Sequence, residues 1–171
     1  AKAQSSIKID GKIDDEQWIN VPIAKKFIER TPNNGTPEPL NQKTEVKILY
    51  DDVGIFIAAK MYDSEPGKIA KELVERDNVG NDDLFGVVIN GYNDKQQSLE
   101  FIVMPTGVQY DAKITNDNGE DSSWNGVWQS AAQIDDDGWS VEMRIPYSEL
   151  RFPKNEVQTW GINFVRRVQR T

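Results

Sequence analysis

The chain has 171 residues, enough for one domain with a sizeable core, and 37% are hydrophobic against 28% charged, the balance of a folded globular protein. A formal charge of −8 excludes nucleic acid and an anionic membrane surface as partners, because both select cationic faces. With neither Cys nor His there is no disulfide, thiolate nucleophile, Ser–His hydrolase pair, His-ligated haem or usual zinc site, and no apolar run approaches the roughly 20 residues of a membrane-spanning helix.

Taken in chain order, "AKAQSSIKIDGK" carries no signal-peptide pattern and reads as the start of a mature or trimmed chain. A short helical turn is expected in "DDEQWIN", capped by Asp14 or Asp15, with Trp18 packing beside Ile19. "KTEVKILY" alternates, with Val46, Ile48 and Tyr50 on one face and Lys43, Glu45 and Lys47 on the other. After the turn "DDVG", "GIFIAAKMYD" is apolar on both faces, so the pair reads as a hairpin deep in a sheet. "EPGKIAKELVE" is expected to be helical, "DLFGVVING" to be a strand, and "QSLEFIVMP" a strand with Leu99, Phe101 and Val103 inward. "VQYDAKI" and "VWQSAAQI" follow as strands on either side of a polar loop. Then "DDDG" turns into "WSVEMRIP", where Val141, Met143 and Ile145 alternate with Ser140, Glu142 and Arg144. A helical turn at "PYSELRF" and a strand in "QTWGINFVRRVQR" complete the pattern. Eight to ten short strands with tight turns predict an all-β fold, an antiparallel immunoglobulin-like β-sandwich with short helical turns. Residues 1–171 read as a single domain, and the abrupt finish at "VQRT" as one excised from a longer protein.

The blocks "IKIDGKIDDEQW", "TEVKILYDDVGIFIAAKMYDSEP", "RDNVGNDDLFGVVIN", "FIVMPTGVQYDA", "SSWNGVWQSAAQIDDDGWSVEMRIPYSELRF" and "QTWGINFVRRVQR" stand in an order that resembles the family 9 carbohydrate-binding modules. The resemblance is to the version found at the N-terminus of bacterial outer-membrane β-barrel proteins. It implies non-catalytic sugar binding, often with calcium in acidic loops, on an immunoglobulin-like sandwich. Sugar-binding members clamp a terminal sugar between two tryptophans, one of them in the loop ahead of the "DDLFGVVIN" strand. Here no Trp lies between Trp18 and Trp124, and Gly86 stands where those members carry an acidic residue.

Trp18, Trp139 and Trp160 read as core residues, since rings of that size are usually buried. Trp128 reads as core as well, whereas Trp124, in a loop of Asp, Ser and Asn, either folds over the end of the sandwich or stacks on a sugar. Arg76, Asp111, Asp121 and Asn125 could supply the polar neighbours that hydroxyls need. The late arginines either pair with Glu142 across strands on a solvated face or line a groove, and Arg166 is the ligand candidate among them. Calcium takes six to eight oxygen ligands, and Asp82, Asp83 and Asp121 are the candidate set, although the helix–loop–helix calcium pattern fails because Ile114 falls at its first ligand position. Glu142 with Asp111 could be read as a glycosidase pair, but with 28 acidic residues some pair meets that spacing by chance. Neither haem nor a nucleotide is expected; haem would have to use Met61, Met104, Met143 or Lys.

The leading reading is a non-enzymatic, carbohydrate-binding-like module of the Gram-negative cell envelope, periplasmic or on the outer-membrane surface, recognising a glycan by stacking and polar contacts. The alternative is an accessory, protein-interaction domain that has lost sugar binding and has the rest of an outer-membrane barrel protein as its partner.

Overall fold

A computed structural model describes residues 1–170, so Thr171, the last residue of the expected domain, lies outside the described residues. Among them alternation produces nine strands: β1 (Thr44–Tyr50), β2 (Gly54–Tyr62), β3 (Leu84–Asn90), β4 (Gln97–Val103), β5 (Gln109–Thr115), β6 (Gly119–Asp121), β7 (Gln129–Asp135), β8 (Gly138–Pro146) and β9 (Gly161–Arg167). All pair antiparallel, in two sheets ordered β1-β2-β8-β7 and β6-β5-β4-β3-β9. The inward side chains of the first, including Val46, Ile57, Met61, Trp139, Val141 and Met143, pack on Phe85, Val87, Phe101 and Val103 of the second. The result is the antiparallel β-sandwich that the alternation predicts. Phe101, fully buried at its centre, contributes up to about 3 kcal/mol relative to an exposed ring.

A sandwich hides one face of each sheet, so the outer faces need other cover. Leu49, Phe56 and Ala58 have the opposite parity to the core residues of β1 and β2 and point outward. Residues 1–23 cover them, with Ile7, Trp18 and Val21 packed against them. Trp18 is therefore buried, as expected, but on an outer face instead of between the sheets. Glu142 of β8 shares that face and is fully buried beneath the segment. On the outer face of the other sheet, Leu84, Ile102, Met104, Tyr110 and Ala112 are shielded in part by Val74 and Val79 of the segment between β2 and β3.

Three local expectations are corrected. "EPGKIAKELVE" forms only the single turn Pro66–Lys68, because the backbone N–H groups of Ala70 and Glu72 donate to the Asp83 and Asp82 side chains (3.2 and 2.6 Å) instead of to helical carbonyls. In "DDEQWIN" the turn is Glu16–Trp18, and neither Asp14 nor Asp15 caps it; the Asp15 carboxylate accepts from the Lys8 amide at 3.0 Å. The polar loop after β5 contains β6, three residues paired with the end of β5.

One half-buried acid, Glu100, and one fully buried acid, Glu142, set a pH dependence. Burial, reinforced by the charge of Glu120, pushes the Glu100 carboxyl up from 4.5 to about 7, and burial pushes Glu142 from 4.5 to about 7. Between those values the folded chain holds protons that the unfolded chain has released. Their stabilisation is thus fully present below about pH 4.5 and is lost as pH rises through 7. Urea denaturation followed by tryptophan fluorescence should give a lower midpoint at pH 8 than at pH 5. Glu100→Gln, which cannot ionise, should remove part of that drop.

Candidate functional site

The β6–β7 loop and the segment ahead of β3 meet over β5, and both are held there by one carboxylate. Asp111 points inward beside Phe101, its cross-strand neighbour, and has no exposed surface. Its Oδ2 accepts from Arg76 Nη2 at 2.7 Å and from the Trp128 indole N–H at 2.9 Å, and its Oδ1 accepts from the Gly126 amide at 3.3 Å. Arg76 Nη2 also donates to the Gly126 carbonyl at 3.1 Å, which closes a ring of contacts around the loop. Gln109 Nε2 reaches from β5 to the Trp128 carbonyl (3.1 Å) and Ser130 Oγ (2.8 Å), anchoring the far end of the loop to the other sheet.

Both tryptophans pack edge-to-face with Phe101, Trp124 at 5.9 Å and 81°, Trp128 at 5.3 Å and 80°. Trp128 is buried at 6% exposure, as expected of a core residue. Trp124 is half-buried and folds over Gly126, where a Cβ would lie 2.9 Å from the indole Cη2, so a side chain at that position would push the ring aside. Open to water beside it are Asn125, Val127 and about half of the Arg76 side chain (47% exposed). A partly exposed indole near a guanidinium fork and an amide offers an apolar plane flanked by hydrogen-bonding groups, the combination that suits a hydroxylated ring.

Of the expected ligand residues, Trp124, Asn125 and Arg76 come together. Asp111 belongs to the same group as its buried support and cannot touch a ligand at the surface. Arg166 lies elsewhere: its guanidinium crosses between the sheets and donates to the carbonyls of Gln42 (2.7 Å), Lys43 (3.2 Å) and Tyr62 (2.9 Å). Burial lowers its pKa, opposed by the charges of Asp83 and Asp63. The expected cross-strand pairs with Glu142 are absent among the described residues, since β8 and β9 belong to different sheets and Glu142 is buried.

The candidate calcium set does not assemble. Asp82 and Asp83 are fully buried, each spending Oδ1 on backbone amides and leaving Oδ2 without a partner, and burial raises the Asp83 pKa. Asp121 is exposed and folds onto Ser123, accepting from its amide at 3.0 Å and its hydroxyl at 2.6 Å, which holds its carboxyl below the usual range. Among the described residues, the place where three carboxylates converge involves none of the three. The supposed glycosidase pair fails too, because Asp111 faces the interior from one sheet and Glu142 faces outward from the other. Met61, Met104 and Met143 are fully buried core residues.

Sequence reading missed the support of the site: Gly126, Phe101, Gln109 and Asp77, whose Oδ1 accepts from the Asp111 amide at 3.4 Å. The spacing "WNGVW" held the available signal, a glycine placed between two large rings. Gly86 is closed off, since a Cβ there would lie 2.8 Å from Ile102 Cγ1 and 3.1 Å from Val165 Cγ1. An open depression of about 480 Å³ does occur on the surface, but it is lined by Leu40, Lys43, Glu45, Tyr62 and Asp137, apart from the Trp124 group.

Residues 9–166 match the model of the carbohydrate family 9 binding domain-like family. Among solved structures, a family 9 carbohydrate binding module from Caldicellulosiruptor kristjanssonii in complex with cellotriose is similar at 18% identity and a TM-score of 0.65, over 98% of this chain and 77% of that one. The complex of such a module from that organism with glucose gives 20% and 0.61, over 95% and 74%. A putative carbohydrate-binding protein from Bacteroides uniformis gives 10% and 0.66, over 85% and 71%. These likenesses show the fold. No curated protein matches the chain.

Asp111→Ala strands the Arg76 guanidinium and the Trp128 N–H together. It should cost about 3 kcal/mol or more in thermal or urea denaturation and increase the mobility of residues 124–128 in hydrogen exchange.

Proposed function

Because the chain belongs to the carbohydrate family 9 binding domain-like family, which implies a non-catalytic binding domain, we propose that it recognises a glycan at the β6–β7 loop. Trp124 would stack on one face of a sugar ring while Arg76 and Asn125 take its hydroxyls. The observation that carries this reading is the Asp111 clamp, which holds the half-exposed Arg76 guanidinium directly and, through Gly126, the partly exposed Trp124 indole in the same loop before any ligand arrives. Groups held in advance lose little freedom on binding, and this is what a shallow site needs in order to bind at all. Similar modules solved with cellotriose and glucose make β-linked glucose oligomers the first ligands to try. The setting we propose is the Gram-negative cell envelope.

A second reading has its own observation. With Ile102 and Val165 closing the space at Gly86, and with no tryptophan ahead of β3 after Trp18, the two-ring clamp of sugar-binding members is missing. On that reading the sandwich is an accessory domain that contacts the rest of an outer-membrane barrel protein.

Isothermal titration against cellotriose, glucose and a broader oligosaccharide panel separates the two. Glycan recognition predicts saturable binding that Trp124→Ala weakens at least tenfold with the fold intact by circular dichroism, whereas Arg76→Ala should weaken binding at least fivefold and also lower stability, because it leaves the buried Asp111 carboxylate without its guanidinium. A silent panel combined with capture of the barrel portion favours the accessory role. Since Asp82, Asp83 and Asp121 do not converge, stripping calcium with a chelator should leave the affinity within twofold.

A further inference from the structure

Residues 1–3 are tied to the end of β1, where the Ala3 amide donates to the Tyr50 carbonyl (2.7 Å), the Tyr50 amide donates to the Ala1 carbonyl (3.1 Å) and Lys2 pairs with Asp52 (2.9 Å), whereas the middle of the segment is held by contacts that gather on Glu142. Glu142 Oε1 accepts from the amides of Asp10 (3.2 Å) and Gly11 (3.1 Å), and Oε2 accepts from the Trp18 indole N–H at 3.0 Å. Gln133 Nε2 of β7 donates to the Asp10 carbonyl at 3.0 Å. Oxygens of Asp10, Asp15 and Glu142 all lie within 4.8 Å of one another. Three carboxylates so close, one with no exposed surface, cannot all be ionised without strong mutual repulsion.

From the geometry of this interface we propose that residues 1–23 form a proton-gated strap. A proton shared between Asp10 and Glu142 holds the segment closed over Leu49, Phe56 and Ala58, and loss of that proton loosens it. With the proton in place Glu142 donates to the Asp10 carboxylate and still accepts from the three N–H groups, so every polar atom at the contact is satisfied. Without it, the Glu142 charge is buried against the charges of Asp10 and Asp15.

The surrounding charges do not cancel this. On the strap, Lys8 Nζ stands 3.9 Å from Asp10 Oδ2, and Lys12 turns its amide to Asp10 Oδ1. On β1, Lys47 Nζ is committed to the Trp18 carbonyl at 2.7 Å, and Glu45 is a further negative group on the same face. On β2, Lys60 is engaged by Asp135 and Asp137 at 2.7 and 2.6 Å. On β8, Arg144 lies over the Phe56 ring at 5.9 Å. On β7 the facing residues Gln129, Ala131 and Gln133 are uncharged.

The direction of titration agrees. Burial, with Asp10 adding to it, lifts Glu142 to about 7, whereas the Lys12 amide and the Glu142 hydrogen bond hold Asp10 below its usual range. In the open strap Glu142 returns to the ordinary carboxyl range, so the closed form is favoured below about pH 4.5 and loses that advantage as pH rises to 7.

Amide hydrogen exchange of the whole chain, corrected for intrinsic rates, tests the strap. The opening constants of Asp10 and Gly11 should exceed those of β2 and β8 amides and rise at least tenfold between pH 5.5 and 7.5. In Glu142→Gln the rise should shrink below threefold. Should that variant fail to fold, a carboxyl carbon-13 titration of the wild-type chain must give Glu142 the same midpoint as strap opening. A strap that opens only with the core, a flat wild-type profile, an unchanged slope in Glu142→Gln, or two distinct midpoints would overturn the proposal.

Discussion

Asp111 has no access to water, and a carboxylate there persists only if donors replace its hydration shell. Three groups do so, and each comes from a part of the chain outside the strands: Arg76 from an irregular segment, Gly126 from a polar loop, Trp128 from the residue ahead of β7. The constraint therefore runs from the buried charge outward. Because Asp111 must be satisfied, the loop closes, Gly126 comes under Trp124, and the indole is fixed perpendicular to the Phe101 ring. The surface proposed for recognition is thus a consequence of a core problem solved at the sheet's margin.

The same logic recurs in the molecule. Glu142 is a fully buried carboxyl group beneath the apolar contact between residues 1–23 and the four-stranded sheet, and the segment's own N–H groups converge on it. Arg166 is half-buried between the sheets and draws the carbonyls of Gln42 and Tyr62 around its guanidinium. Arg170 pairs with fully buried Asp63 at 3.0 Å. Removing one partner from such a set leaves an uncompensated charge, and this explains why irregular segments are pinned by buried polar anchors where regular hydrogen-bond ladders are lacking.

Alternation made the strands of both sheets legible, because side-chain period two is a local property: Val141, Met143 and Ile145 face the core as their spacing requires. Parity could not reveal what covers an outer face. Glu142 alternates like a solvated residue, and only the return of residues 1–23 across β2 and β8 buries it. Arg166 misled for a related reason, since its place on β9 gave a face but not whether carbonyls from residues 42–62 would meet it. "EPGKIAKELVE" has helical composition, yet Asp82 and Asp83, a dozen residues away, take its amides. Of the site, Trp124, Asn125 and Arg76 could be named from residue chemistry. The carboxylate that joins them acts through contacts separated by 15 to 35 positions, beyond the reach of any local pattern.

Recognition at the β6–β7 loop is tested most directly by a two-dimensional NMR titration of indole and guanidinium N–H signals with cellotriose. Stacking on Trp124 predicts that its indole signal and the Arg76 signal shift together with one affinity, while the buried indoles of Trp18 and Trp139 stay in place. No shift at saturating sugar, or shifts confined to the backbone around Tyr62 and Asp137, would contradict a glycan site at this loop.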